Sequence, residues 1–283
     1  MAENGRGGQA AVIGGGTMGA GIAQVLLEAG CDVVVIEADA GAAERAQARI
    51  TDGLGRRKDA TPEQIEARTG RLRTVTDLAE PLDVELVVEA IPEIPDAKRD
   101  LLAAAEKVVP PTALLATNTS SLSITDLAGA LERPDRFLGM HFFNPVPLSA
   151  LVELVVGEAT TPASVDDARR WVDRLGKESI EVRDSPGFAT SRLGVALGLE
   201  AIRMLEEGVA SAADIDQGMV LGYRHPMGPL RLTDLVGLDV RLAIAEHLAS
   251  TLGPRFEPPA LLRDKVAAGE LGKKTGRGFY EWT

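Results

Sequence analysis

Two residues in this chain have the types needed to move a proton. His141 ends the apolar stretch "RFLGMH" and runs on into Phe142, Phe143, Asn144 and Pro145. Glu153, twelve residues later, is the lone charge inside "LVELVV". Histidine has a pKa near neutrality and can take the proton of a hydroxyl group. A carboxylate on its other ring nitrogen would hold one tautomer and stabilise the imidazolium. Without such work, a lone carboxylate in an apolar strand is costly to bury. The pair suits oxidation of an alcohol to a ketone, which also needs a hydride acceptor. A histidine at a strand end can equally be structural, and no distance between the two follows from the sequence. His225, in "GYRHPMGP", and His247, on a helix among polar neighbours, fit the role less well. With three histidines and one cysteine, no metal site is expected.

The hydride acceptor is suggested by "GGGTMG", which supplies Gly14, Gly16 and Gly19 in a G-x-G-x-x-G pattern with Thr17 and Met18 between them. The pattern alone is weak, but its context is right. It follows an apolar strand, opens a helix, and precedes Glu37, 18 residues after Gly19, at the end of a second strand. Gly14 allows the tight turn, Gly16 lets backbone approach a pyrophosphate, and Gly19 lets helix and strand pack closely. The helix N-terminus offers N–H groups and partial positive charge to phosphates. Glu37 would accept hydrogen bonds from the adenine-side ribose and repel a 2′-phosphate, favouring NAD over NADP; Asp39 is the fallback.

"ATNTSSLSITDL" leaves a strand and enters a helix, with Ser123 as the expected N-cap. Loops at the carboxyl ends of parallel strands bind ligands in such sheets. Asn118, Thr119, Ser120 and Ser121 fall in such a loop. Turn and capping chemistry is the preferred reading for Thr119 and Ser121. Ser120 could donate a hydrogen bond to a substrate oxygen.

The elements that would position these groups fall into two halves. Strand patterns at Ala10–Gly14, Val33–Glu37, "VELVVEAI", "ALLATN", "RFLGMHFF", "LVELVV" and "SIEVRD" alternate with helix patterns. The helices are expected at Thr17–Ala29 (closed by Gly30), Ala40–Lys58, Thr61–Arg68, Pro95–Val108, Ser123–Leu131 and Pro162–Leu175. Repeated β-α-β units imply an α/β, Rossmann-type, doubly wound and mainly parallel sheet. After Ser185-Pro186-Gly187 the pattern becomes all-α, with helices expected over Phe188–Glu207, Ala212–Leu221, Leu230–Leu252 and Pro259–Ala268. The expected domains are therefore 1–184 and 185–283.

Composition sets the outer bounds. A chain of 283 residues can bury a substantial core. Its net charge of -12 argues against nucleic-acid or anionic-membrane partners, which need a basic face. The single cysteine, Cys31, just ahead of a strand pattern, permits no internal disulfide and reads as a buried, inert thiol. "MAENGRGGQ" has no apolar core, and no segment reaches about 18 unbroken apolar residues. A soluble, unexported cytoplasmic protein is expected.

Taken together these motifs resemble the L-3-hydroxyacyl-CoA dehydrogenase family, including its short-chain 3-hydroxybutyryl-CoA members. The likeness runs from "AVIGGGTMGAGIAQV" through "VVEAIPE", "NTSSLSIT", "RFLGMHFFNPVPLSALVELV", "DSPGF" and "YRHPMGPLRLTDLVGLD" to "LGKKTGRGFY". The resemblance implies an NAD-binding Rossmann domain, a helical domain that makes most of a homodimer contact, and a site in the cleft between the two. It implies His141 as base, Glu153 as its orienter and Ser120 as the group on the 3-oxygen. It implies that Asn144 helps shape the site and that Glu93 and Lys98 lie on the cofactor side. Read without the resemblance, Lys98 is an ordinary exposed helix lysine. One departure stands out. Where many members have Asn in P-G-F-x-x-N-R, this chain has Ser191, which puts the substrate-side geometry in question more than the reaction type.

For the anionic CoA moiety the candidate basic patch is "GRRKD", read on the long helix, with Arg57 and Lys58; a solvated helix face is the equal alternative. "GKKTGRG" reads as an interdomain or dimer-contact turn. The expected function is reversible NAD-dependent oxidation of an L-3-hydroxyacyl-CoA to the 3-ketoacyl-CoA in fatty-acid β-oxidation or related degradation. Its rivals are a dehydrogenase of a free 3-hydroxy acid or sugar acid, of the gulonate type, and a non-catalytic NAD-binding protein.

Overall fold

A computed structural model describes residues 7–78 and 82–282. The polar amino-terminal stretch read above falls largely on residues 1–6, outside the described residues. The chain divides into two compact units, Met1–Asp184 and Ser185–Thr283.

The first unit runs β1 (Gly7–Ile13), α1 (Thr17–Glu28), β2 (Cys31–Ile36), α2 (Ala40–Gly55), α3 (Pro62–Thr69), β3 (Leu72–Val75), β4 (Leu86–Glu89), α4 (Pro95–Val108), β5 (Leu114–Thr117), α5 (Ile124–Ala128), β6 (Phe137–Phe142), β7 (Leu151–Val156), α6 (Pro162–Arg174) and β8 (Glu178–Arg183). Its eight strands form one sheet in the order β3-β2-β1-β4-β5-β6-β7-β8. Neighbours are parallel except β6 and β7, which pair antiparallel. The chain leaves β1 toward one edge through β2 and β3, then returns to β4 on the other side of β1. Such a switch point leaves a crevice at the strands' carboxyl ends.

Local chemistry explains the elements. β4, β5 and β6 are buried along their whole length, as continuous apolar runs in a helix-covered sheet should be. Thr61 and Gln64 form a reciprocal capping box on α3, with Pro62 in the first turn. Gly30, just beyond α1, takes φ +87°, a conformation costly for other residues. Cys31 is the first residue of β2 rather than its forerunner, and its burial pushes the thiol pKa up.

Of the differences from expectation, three bear on the argument, while α5 and α8 (Ala212–Gln217) are shorter than expected. α2 ends at Gly55, so Arg57 and Lys58 lie beyond it in a turn. β3 is an edge strand whose alternation of arginine with apolar residues, "RLRTV", hides it from a search for apolar runs. In the second unit, built from α7 (Thr190–Glu206), α8 (Ala212–Gln217), α9 (Pro229–Val236), α10 (Leu238–Leu252) and α11 (Ala260–Ala267), the helix expected over Leu230–Leu252 is two helices. Gly237 sits between them at φ +103°, which no helix can absorb.

The second unit packs around Val195, Leu199, Ile202, Leu230, Leu238 and Leu248. Asp234 accepts hydrogen bonds from Phe279 N, Tyr280 N and Trp282 Nε1 at 2.8–2.9 Å. The C-terminal segment is thereby tied down. In "GKKTGRG", Lys274 pairs with Asp239 of α10 at 2.6 Å. Among the described residues, no helix is long and apolar enough to cross a membrane.

Candidate active site

His141 and Glu153 face each other directly across the antiparallel β6–β7 pair. Partners in such a register bring their side chains together on one face. His141 Nδ1 lies 2.7 Å from Glu153 Oε2; the residues are 5% and 0% exposed. With Glu153 ionised, Nδ1 is the donor, and the lone pair of the imidazole is on Nε2. The Phe143 ring packs on the imidazole at 4.6 Å between centroids. The group can therefore act as a base with a fixed tautomer.

The neighbouring strand end is fastened to it. Asn118, just after β5, accepts a hydrogen bond on Oδ1 from Phe142 N at 2.9 Å, and its own N–H donates to Glu89 O. Thr119 Oγ1 accepts from Leu122 N at 2.9 Å, and Ser123 Oγ accepts from Asp126 N as the N-cap of α5. Both do the turn and capping work expected of them. Ser120 donates its N–H to Glu93 Oε1 at 2.9 Å, and Thr119 Oγ1 donates to the same oxygen.

Glu93 Oε2 in turn lies 3.3 Å from Lys98 Nζ. Lys98 is no exposed helix lysine; it is 1% exposed on the buried face of α4. Its main partner is Glu89, the last residue of β4, at 2.6 Å. Glu89 escaped the sequence reading. The available signal was a carboxylate at the end of "LVVE", the same signal that singled out Glu153. Lys177 was also missed: its Nζ donates to Val146 O (2.7 Å) and Ser149 O (2.5 Å), bracing the β6–β7 connection that carries the exposed Asn144. Burial lowers its pKa.

The glycine-rich turn lies after β1, at the switch point. Gly14 takes φ +94° and donates its N–H to Ile36 O at 2.9 Å. A Cβ on Gly19 would fall 1.7 Å from Gly14 O, so helix and turn touch backbone to backbone. A Cβ on Gly16 would meet nothing within 4 Å. α1 has no side-chain cap, which leaves its first N–H groups for an outside acceptor. Glu37 accepts the Gly15 N–H on Oε1 at 2.6 Å, and Oε2 takes no hydrogen bond among the described residues. Gly14 to Met18, Glu37, Ile91 and Leu101 line a groove of about 820 Å³. An open phosphate cradle with N–H donors not used by a side-chain cap, and a carboxylate beside it, fits a dinucleotide. Asp39, the fallback acceptor, caps α2 with Oδ1, which accepts from Ala42 N at 2.8 Å.

Two assignments stand apart. Arg57, past the end of α2, is engaged by Glu28 (3.6 Å) and Asp59 (3.3 Å), and Lys58 is exposed beside Asp59. Internal carboxylates thus offset the basic patch proposed for CoA. Ser191 belongs to the second unit, half-buried in the first turn of α7.

The chain resembles known proteins over nearly its whole length. Residues 9–185 match the NAD-binding domain of 3-hydroxyacyl-CoA dehydrogenase, and residues 187–282 match the C-terminal domain of the same family. A probable 3-hydroxybutyryl-CoA dehydrogenase of Deinococcus radiodurans is 44% identical over 274 residues, covering 96% of this chain and 99% of that protein. The crystal structure of Mycobacterium tuberculosis FadB2 superposes with a TM-score of 0.92 at 41% identity, covering 97% of this chain and 98% of the other. That of (S)-3-hydroxybutyryl-CoA dehydrogenase PaaH1 from Ralstonia eutropha superposes with a TM-score of 0.91 at 39% identity, over 97% and 99%.

Proposed function

We propose, from the premise that the chain belongs to the 3-hydroxyacyl-CoA dehydrogenase family and is an NAD-dependent oxidoreductase, that it interconverts short-chain L-3-hydroxyacyl-CoA and 3-ketoacyl-CoA through a His141–Glu153 base, with 3-hydroxybutyryl-CoA as the representative substrate. The observation that carries the mechanism is the buried 2.7 Å bond between His141 Nδ1 and Glu153 Oε2.

NAD, when bound, supplies the hydride acceptor. The first N–H groups of α1, at Thr17 and Met18 beyond the open Gly16, would hold its pyrophosphate, and Glu37 would accept from the adenine-side ribose. Glu93, Lys98, Asn118 and Asn144 serve the same side of the site. His141 Nε2 accepts the proton of the 3-hydroxyl, and Glu153 stabilises the imidazolium that forms. The Ser120 hydroxyl donates to the 3-oxygen. In the reducing direction His141 returns the proton. Ser191 takes the place of the Asn that the family resemblance leads one to expect, and its hydroxyl serves the substrate oxygen directly or through a water.

The helical unit exposes Leu193, Val209, Leu221, Tyr223, Val236 and Val240, a concentration of apolar side chains that favours association with a second copy as a homodimer. A reduced, buried Cys31 and the acidic surface suit a cytoplasmic enzyme of acyl-CoA degradation. Turnover of 3-hydroxybutyryl-CoA against free 3-hydroxybutyrate tests the substrate class. Comparable rates on the free acid, or none on the thioester, overturn it.

A further inference from the structure

Glu89 is the only carboxylate in β4, behind Leu86, Val87 and Val88, and it is 0% exposed. Stability does not account for it. Replacing a buried ion pair by apolar groups is commonly neutral or stabilising, because desolvating two charges offsets their attraction. Its three bonds point elsewhere. Oε1 accepts from Lys98 Nζ (2.6 Å) and from Ile91 N (2.7 Å); Oε2 accepts from Thr117 Oγ1 (2.5 Å). Each of these partners leads toward the crevice at the switch point. Ile91 walls the dinucleotide groove. Thr117 ends β5, the strand that delivers Asn118 and Ser120. Lys98 reaches onward to Glu93, whose other oxygen holds the Thr119 hydroxyl and the Ser120 N–H.

We infer that Glu89 is a positioning residue for the reaction: through Lys98 and Glu93 it fixes the turn that presents the Ser120 hydroxyl. The inference rests on the reading of Ser120 as the donor to the 3-oxygen. The charge count supplies the physical reason. Lys98 sits between two carboxylates, held closer to Glu89 than to Glu93. Glu89 therefore takes most of the ammonium's field, and Glu93 keeps one oxygen turned to the Ser120 turn. Without the Glu89 charge, Lys98 is left with Glu93 as its one counterion among the described residues. The shortest pairing then pulls Glu93 inward toward Lys98 and off the turn, since Glu93 is partly exposed and able to move. A side chain displaced by about an ångström in such a site can cost about 100-fold in rate.

The test uses Glu89→Gln, Ser120→Ala and the double variant in the full chain. Two readouts are taken: kcat for acetoacetyl-CoA reduction by NADH, and amide hydrogen exchange of the peptide spanning 118–122. The expected result is a fall in kcat of about 10- to 100-fold for Glu89→Gln, faster exchange at 118–122 with unchanged exchange across β6 and β7, and no further loss when Glu89→Gln is added to Ser120→Ala. Unchanged exchange at 118–122, or losses that multiply in the double variant, overturns the inference. Should Glu89→Gln not fold, Thr117→Val removes one of the three bonds, and the same exchange readout decides. A wild type without turnover on any hydroxyacyl-CoA sinks the functional reading instead, while the exchange result still judges the role of Glu89.

Discussion

Glu153→Gln separates an orienting carboxylate from a merely buried one. The substitution keeps the shape of the side chain and removes its charge. In the native site the ionised Oε2 can only accept, so Nδ1 must carry the proton and Nε2 the lone pair. A glutamine amide can donate to Nδ1 through its NH₂ group, which moves the lone pair to Nδ1 and leaves Nε2 protonated. The base is then lost from the ring position that would face substrate. A charge-assisted hydrogen bond contributes about 1.5–3 kcal/mol, which alone lowers kcat by about 10- to 100-fold when the imidazolium loses its partner. The wrong tautomer adds to this, and a comparable change in the Ser-His-Asp triad costs about 10⁴. We therefore expect a fall in kcat of about 10²- to 10⁴-fold for acetoacetyl-CoA reduction, read from NADH absorbance, with NADH affinity retained. A folded Glu153→Gln protein with kcat within threefold (roughly 0.6 kcal/mol) of wild type would refute the reasoning.

Gly16→Ala is expected to fold normally, because its Cβ enters open space, yet to bind NADH about tenfold more weakly as that Cβ crowds the phosphate cradle; fluorescence titration checks it. Gly19→Ala, with a Cβ 1.7 Å from Gly14 O, is expected to lose about 3 kcal/mol of stability in denaturant unfolding. Glu37→Gln keeps an oxygen for Gly15 N–H but drops the charge, so the preference for NADH over NADPH in kcat/KM is expected to fall about 10- to 100-fold. Burial, with the hydrogen bond to Asp216, holds the Tyr280 phenol above its ordinary pKa near 10. The folded form then keeps that proton more tightly, so this stabilisation is complete below about pH 10 and is lost as pH rises further. Wild type is expected to lose more Tm than Tyr280→Phe between pH 9 and pH 11 (about one unit either side of the free phenol's pKa), and equal losses would contradict it.

Much of the α/β unit was legible because parallel strands covered on both faces leave continuous apolar runs, and helices leave caps. "VVVIE", "ALLATN" and Pro95–Val108 could be read that way. β3 could not, since an edge strand need bury only one side. Gly237 hid inside a helical periodicity, because periodicity does not report the sign of φ. His141 and Glu153 were legible as candidate partners, but their separation was not. Their meeting depends on the antiparallel register of β6 and β7, which the intervening connection sets and local pattern does not. Glu89 and Lys98 show the same limit. A lysine on a helix reads as solvated until the strand beneath it is known to end in a buried carboxylate. Arg57 shows the reverse: the basic cluster does not reveal that Glu28, distant in sequence, lies 3.6 Å from it.

The most direct measurement is acetoacetyl-CoA reduction by His141→Ala, with NADH affinity determined on the same protein. We expect wild-type NADH binding and a kcat lowered by at least about 10²-fold, the share of a positioned general acid–base group. Retained turnover with intact NADH binding would contradict it, because no proton would then need to pass through His141.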